Sequence, residues 1–119
     1  MAKTEKDVVW MGSSLKDLRG FPDEVKQVFG TAIYYAQRGG KHPQATPMKG
    51  HKGAGVLEII EDHDRETYRC MYTVRYGNKI YVLHAFQKKS KKGIATPQAD
   101  IDVINSRLTD VKRLEGVKS

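Results

Sequence analysis

Apolar positions along the chain follow two rhythms that divide it into elements. Val8, Val9 and Trp10 form a short strand candidate. Ser13-Ser14 followed by Leu15 and Leu18 reads as a capped helical turn that stops at Gly20. Phe21-Pro22-Asp23-Glu24 is a stronger helix start, with Pro22 suited to the first helical position and two acids at the positive end of the helix dipole. Val25, Val28, Phe29, Ala32 and Ala36 then fall on one helical stripe, which Gly39-Gly40 ends. Residues 41–55 keep no period and read as a surface loop. Strands are predicted at Val56–Ile60, Tyr68–Tyr76 and Ile80–Phe86, joined by turns at Glu61–Glu66 and Gly77-Asn78 into an antiparallel meander. Thr96-Pro97 supplies an N-cap and first helical position for a last helix, with Ile101, Ile104, Leu108 and Val111 on one face. The segment from Lys112 to Ser119 is expected to fray. The order predicts a small α+β domain, residues 1–119 with a core of about 7–110, whose helices pack on one face of a twisted, mainly antiparallel sheet.

A length of 119 residues allows one core, and 39% hydrophobic residues are enough to build it. No apolar run reaches membrane-spanning length, and Met1 to Trp10 lacks the apolar centre of a signal peptide. The lone Cys70 excludes an internal disulfide and any multi-cysteine metal site. A cytoplasmic protein is the expectation.

Charge changes the picture further. The net charge is +7, and the positive charge is concentrated in two blocks without a single acid, residues 25–57 at +5 and residues 67–99 at +7, offset by −1 over residues 1–24 and −4 over residues 58–66. A solvated face normally mixes signs, so these blocks point to a polyanion, either nucleic acid or an acidic protein.

The segments Pro47-Met48-Lys49-Gly50-His51, Tyr68-Arg69-Cys70-Met71-Tyr72 and Tyr81-Val82-Leu83-His84-Ala85-Phe86-Gln87-Lys88-Lys89-Ser90, in that order after a helix, resemble the RelE/ParE toxin superfamily. The likeness is closest to its HigB-like, phage-derived branch and covers roughly residues 7–110. It implies the RelE-like fold and a toxin that a co-encoded antitoxin neutralises. For most branches it implies metal-free cleavage of mRNA in the ribosomal A site, with no cofactor and with the ribosome, mRNA and the cognate antitoxin as partners. The ParE branch instead inhibits DNA gyrase.

Metal-free RNA cleavage needs a base near the 2′-hydroxyl, an acid near the leaving 5′-oxygen and cations around the phosphate. The resemblance puts Arg69 in the phosphate-binding place, where a planar guanidinium grips two oxygens. The other reading of Arg69 is a solvated strand arginine, or one paired with Glu58 across the meander. Lys88 and Lys89 match the basic pair that assists catalysis in similar toxins. Lys91 and Lys92, with Lys49 and Lys52, are assigned to RNA docking. Glu58 and His51 are the acid–base candidates. RelE carries lysines where HigB-like members have a glutamate, and RelE's downstream tyrosine has no counterpart in Gly93-Ile94-Ala95-Thr96, so the acid–base assignment stays open. His84 alternates in phase with Ile80, Val82 and Phe86 and reads as a structural core histidine.

The remaining signals are structural. The four histidines lack metal-ligand spacing, and Asp62-His63-Asp64 reads as an acidic hairpin tip. Residues 49–55 have the glycines of a phosphate loop without its lysine-serine or lysine-threonine ending. Cys70 reads as a small apolar residue, and Tyr34 and Tyr35 as core and helix surface rather than base-stacking platforms. A gyrase-directed or other non-nucleolytic inhibitor, or a phage-derived RNA- or protein-binding module, are the rival functions on the same fold.

Overall fold

The computed structural model describes residues 5–51, 55–88 and 96–117. Its elements in chain order are β1 (Asp7–Trp10), α1 (Ser14–Arg19), α2 (Asp23–Gln37), β2 (Thr46–Pro47), β3 (Val56–His63), β4 (Glu66–Thr73), β5 (Lys79–Lys88) and α3 (Gln98–Leu114). The strands form one sheet in the order β1-β5-β4-β3-β2. β1 runs parallel to β5 and every other pair is antiparallel. No described helix is long and apolar enough to cross a membrane.

The α+β class and the mainly antiparallel sheet are as the sequence predicts, and the stripe of α2 is buried at Val25, Phe29, Ala32 and Ala36. Ile33 joins them and Val28 lies only half-buried. Both prolines expected at first helical positions instead occupy the N-cap places, Pro22 before α2 and Pro97 before α3. Ser13 makes no backbone cap and donates its hydroxyl to Asp17 Oδ2 at 2.8 Å. The loop of residues 41–55 carries the two-residue strand β2, which pairs with Leu57 and Glu58 of β3. The β3–β4 turn is tighter than expected. Only Asp64 and Arg65 lie outside the ladder, with φ of 51° and 68°, the left-handed pair that a two-residue hairpin turn of matching twist requires.

The helices do not share one face. α1 and α2 cover one side, where Phe29, Ala32 and Ile33 pack on Ile59, Cys70, Tyr72, Ile80 and Val82. α3 covers the other, with Ile104, Leu108 and Val111 against Met71, Tyr81 and Leu83. The alternation of β4 explains the two cores, since Cys70 and Met71 point to opposite sides of the pleat and both are buried. Instead of fraying from Lys112, the chain stays helical to Leu114, and Tyr81 donates its hydroxyl to Glu115 just beyond.

A bulge decides what faces α3. Met71 pairs with His84 but Tyr72 pairs with Val82, so Leu83 is the extra residue on β5. One inserted residue reverses the side-chain phase. Ile80 and Val82 therefore belong to the α2 core while His84 and Phe86 lie on the α3 side. The expected phase of His84 with Ile80 and Val82 is thus wrong, because strict alternation does not survive a bulge.

Candidate functional site

On the α3 side of the sheet, pairing places three rows of residues across β3, β4 and β5: Glu58, Met71 and His84; Ile60, Arg69 and Phe86; Asp62, Thr67 and Lys88. Diagonal neighbours in adjacent rows lie within reach of long side chains. Arg69 uses that reach. Its Nη1 donates to Glu58 Oε2 at 3.0 Å and to Thr96 Oγ1 at 3.1 Å. The Arg69 and Glu58 side chains are 6% and 12% exposed, so the pair is effectively buried. Of the two readings of Arg69 outside the resemblance, pairing with Glu58 is the one observed. The ion pair places a carboxylate beside an anion-binding fork. Losing one partner of such a pair strands a buried charge at a cost of about 3–5 kcal/mol, whereas replacing both with apolar groups is often close to neutral.

Lys88 ends β5 one row further on and is buried at 7% exposure. His51 reaches α3, its Nε2 2.6 Å from Asn105 Oδ1 and its Nδ1 3.3 Å from the Lys49 carbonyl. Lys49 is exposed on the same loop. Lys52, Lys89, Lys91 and Lys92 lie outside the described residues. Among the candidates, Glu58 and Arg69 are in direct contact, and Lys88 shares their face.

Two anchors were not legible as such. Thr96, expected to cap α3, is a partner of Arg69, so the start of α3 is tied to the ion pair. Asp100 and Arg107 of α3 hold His84, whose Nε2 donates to Asp100 Oδ1 at 2.8 Å. Arg107 Nη1 donates to the Leu83 carbonyl at 2.9 Å and reaches His84 Nδ1 at 3.5 Å. With both ring nitrogens engaged and the ring stacked on Phe86 at 4.9 Å, His84 fastens α3 to the bulge. The only prior signal was the acid placed in the first turn of a helix. A shallow, open groove of about 340 Å³ runs along β5 beyond β1, lined by Asp17, Phe21, His84, Phe86 and Gln87. Phe86 is the cross-strand neighbour of Arg69, so the groove adjoins the ion pair from the β5 side.

The pKa values of the two buried groups behind this face are displaced by burial. The Cys70 thiol is pushed up to about 12 and the Tyr72 phenol is raised as well, which makes Cys70 an inert packing residue as expected.

Residues 16–109 match the family described as phage derived protein Gp49-like (DUF891). The chain belongs to the Gp49-like phage-derived family. No curated protein and no solved structure matches it. The matched span of the Gp49-like domain begins within α1 and ends within α3, so it contains Glu58, Arg69, Lys88, Thr96 and Asp100 together with the sheet that positions them.

Proposed function

We propose that this Gp49-like chain is the toxin of a type II toxin–antitoxin pair and a metal-independent endoribonuclease that cleaves mRNA on the ribosome. The observation that carries the reading is the buried Glu58–Arg69 pair, a base and a phosphate-gripping cation on one face of the sheet. In the reaction the 2′-oxygen bonds to the adjacent phosphorus while its proton passes to the Glu58 carboxylate. The bond from phosphorus to the 5′-oxygen breaks as that oxygen takes up a proton, from His51 or from water, leaving a 2′,3′-cyclic phosphate and a 5′-hydroxyl. Arg69, with Lys88 and the following Lys89, stabilises charge that accumulates on the phosphate oxygens. The loop lysines Lys49 and Lys52, with Lys91 and Lys92, are assigned to RNA docking from their place in the sequence. A cognate antitoxin with an acidic segment is the partner that the positive charge favours.

The experiment is induction of the protein without an antitoxin, followed by primer-extension mapping of mRNA ends. New ends within translated frames are expected. The pair replacement Glu58→Leu/Arg69→Met should abolish them while melting close to the parent protein. In single-turnover cleavage, Arg69→Lys should lose on the order of 10²–10³ in rate, because an ammonium keeps the charge but not the fork. Unaltered transcript ends with accumulated DNA breaks would instead assign the chain to gyrase inhibition.

A further inference from the structure

Tyr34 of α2 is not in the core, where the sequence places it, whereas Tyr35 lies on the helix surface as expected. Tyr34 and Tyr35 are 46% and 43% exposed, on the side of the sheet opposite the Glu58–Arg69 pair. Neither ring is idle. The Arg38 guanidinium lies 5.8 Å from the centre of the Tyr34 ring. The His42 ring packs 5.5 Å from Tyr35, and the Gln44 backbone N–H donates to His42 Nδ1 at 3.1 Å, which fixes the ring. Lys41 is exposed between Arg38 and His42. All of these residues fall in the acid-free block of residues 25–57. The acids nearest by contact come from elsewhere in the chain, Glu5 at 3.6 Å from Arg38 and Glu61 bonded to Gln44 at the border. The Glu5 pair is exposed and therefore weak.

We propose that the end of α2 and the turn after it form a second RNA-binding surface, which takes single-stranded RNA by stacking unpaired bases on Tyr34 and Tyr35. The proposal rests on RNA being the target in the reading above, but not on cleavage. Three features select this occupant. Exposed aromatic rings give every base a flat partner regardless of sequence. Arg38 stands beside the Tyr34 ring, and the exposed Lys41 follows three residues later in the chain, two cations available to a strand's phosphates. Among the described residues of α2 and the turn after it, no large aliphatic side chain is exposed, so the patch does not offer the aliphatic stripe that an amphipathic helix of a protein partner would need. Adjacent helical residues are about 100° apart around the axis, so the two rings face different directions. Two bases would have to be splayed from one another to reach them, which a duplex does not allow.

The probe is a fluorescein-labelled single-stranded RNA of twelve nucleotides, read by anisotropy at low salt on the full chain. Tyr34→Leu/Tyr35→Leu should weaken binding by on the order of 10- to 100-fold with an unchanged melt, since leucine keeps apolar area but not the ring. Tyr34→Phe/Tyr35→Phe should bind as the parent does. Duplex RNA of the same length should show no difference between parent and leucine variant. Equal single-strand binding by parent and leucine variant would overturn the proposal, and so would a variant that binds RNA normally but escapes its antitoxin, which would mark a protein-docking face. Glu58→Leu/Arg69→Met separates the two readings: retained tyrosine-dependent binding supports this surface even where cleavage by the parent protein is never seen.

Discussion

At the scale of single residues, the sheet contains one plain defect and one hidden liability. The Tyr72 hydroxyl is fully buried beneath α2 and has no hydrogen-bond partner among the described residues. Burying an unsatisfied hydroxyl costs about 1–3 kcal/mol, and phenylalanine removes the oxygen without changing the ring. Tyr72→Phe should therefore raise stability by about 1–2 kcal/mol, checked by urea denaturation at neutral pH. The liability is alkaline pH. Burial lifts the Cys70 thiol from 9.0 to about 12, and burial together with the bond to Glu115 lifts Tyr81 from 10.0 to about 12. Both groups hold their protons more tightly folded than unfolded, so the unfolded state loses protons first as pH rises. The contribution of these two groups should be level below pH 9 and fall between about 9 and 12, as thermal melts across the alkaline range will register. Cys70→Ala should delay the onset towards 10, where the Tyr81 contribution begins.

At the scale of elements, the molecule turns on how α3 is attached. Its apolar stripe is short, with only Ile104, Leu108 and Val111 buried, and polar ties make up the rest. Thr96 meets Arg69 before the first turn, Asp100 meets His84, Asn105 meets His51, and Arg107 meets the Leu83 carbonyl. Arg107→Ala should cost about 1–3 kcal/mol by stranding the bulge carbonyl. Its signature should be local, with amide exchange rising in α3 and around Leu83 while the β3–β4 hairpin keeps its protection. β1, β3, β4 and β5 were legible as apolar runs and α2 and α3 as apolar stripes, but β2 lay inside the predicted loop and the bulge hid which face of β5 is buried where. Arg69 and Glu58 were legible as candidates because the resemblance puts them in the places of the phosphate-binding arginine and the HigB-like glutamate. The attachments were not, for physical reasons. A bulge at Leu83 is a property of register between two strands, and nothing in the composition of β5 announces it. Asp64 and Arg65 take positive φ although neither is glycine, a strain that only the surrounding hairpin can impose. Thr96 carries the signal of a helix cap, and its distant arginine partner emerges only after folding.

At the scale of the whole molecule, charge is arranged so that its effects can be separated from the chemistry. The positive excess lies in residues 25–57 and 67–99, whereas residues 100–119, most of them in α3, are balanced. If the protein works on RNA, each phosphate it neutralises releases counterions, and affinity must fall as salt rises. For a single strand the slope of log affinity against log salt is about −0.7 per phosphate contact. Neutralising Lys91 and Lys92 together, as glutamines, should make that slope shallower by roughly 1.4 if each lysine makes one contact. The same change at Lys112 and Arg113, in the last turn of α3 within the balanced segment, should leave it unaltered. Cleavage at saturating RNA should be unaffected in both, because docking charge changes occupancy and not the transition state. Salt titrations of ribosome or RNA binding on the three proteins will measure the slopes. An affinity indifferent to salt would mean that the two acid-free blocks are not read by a polyanion, and the charge pattern would lose its functional meaning.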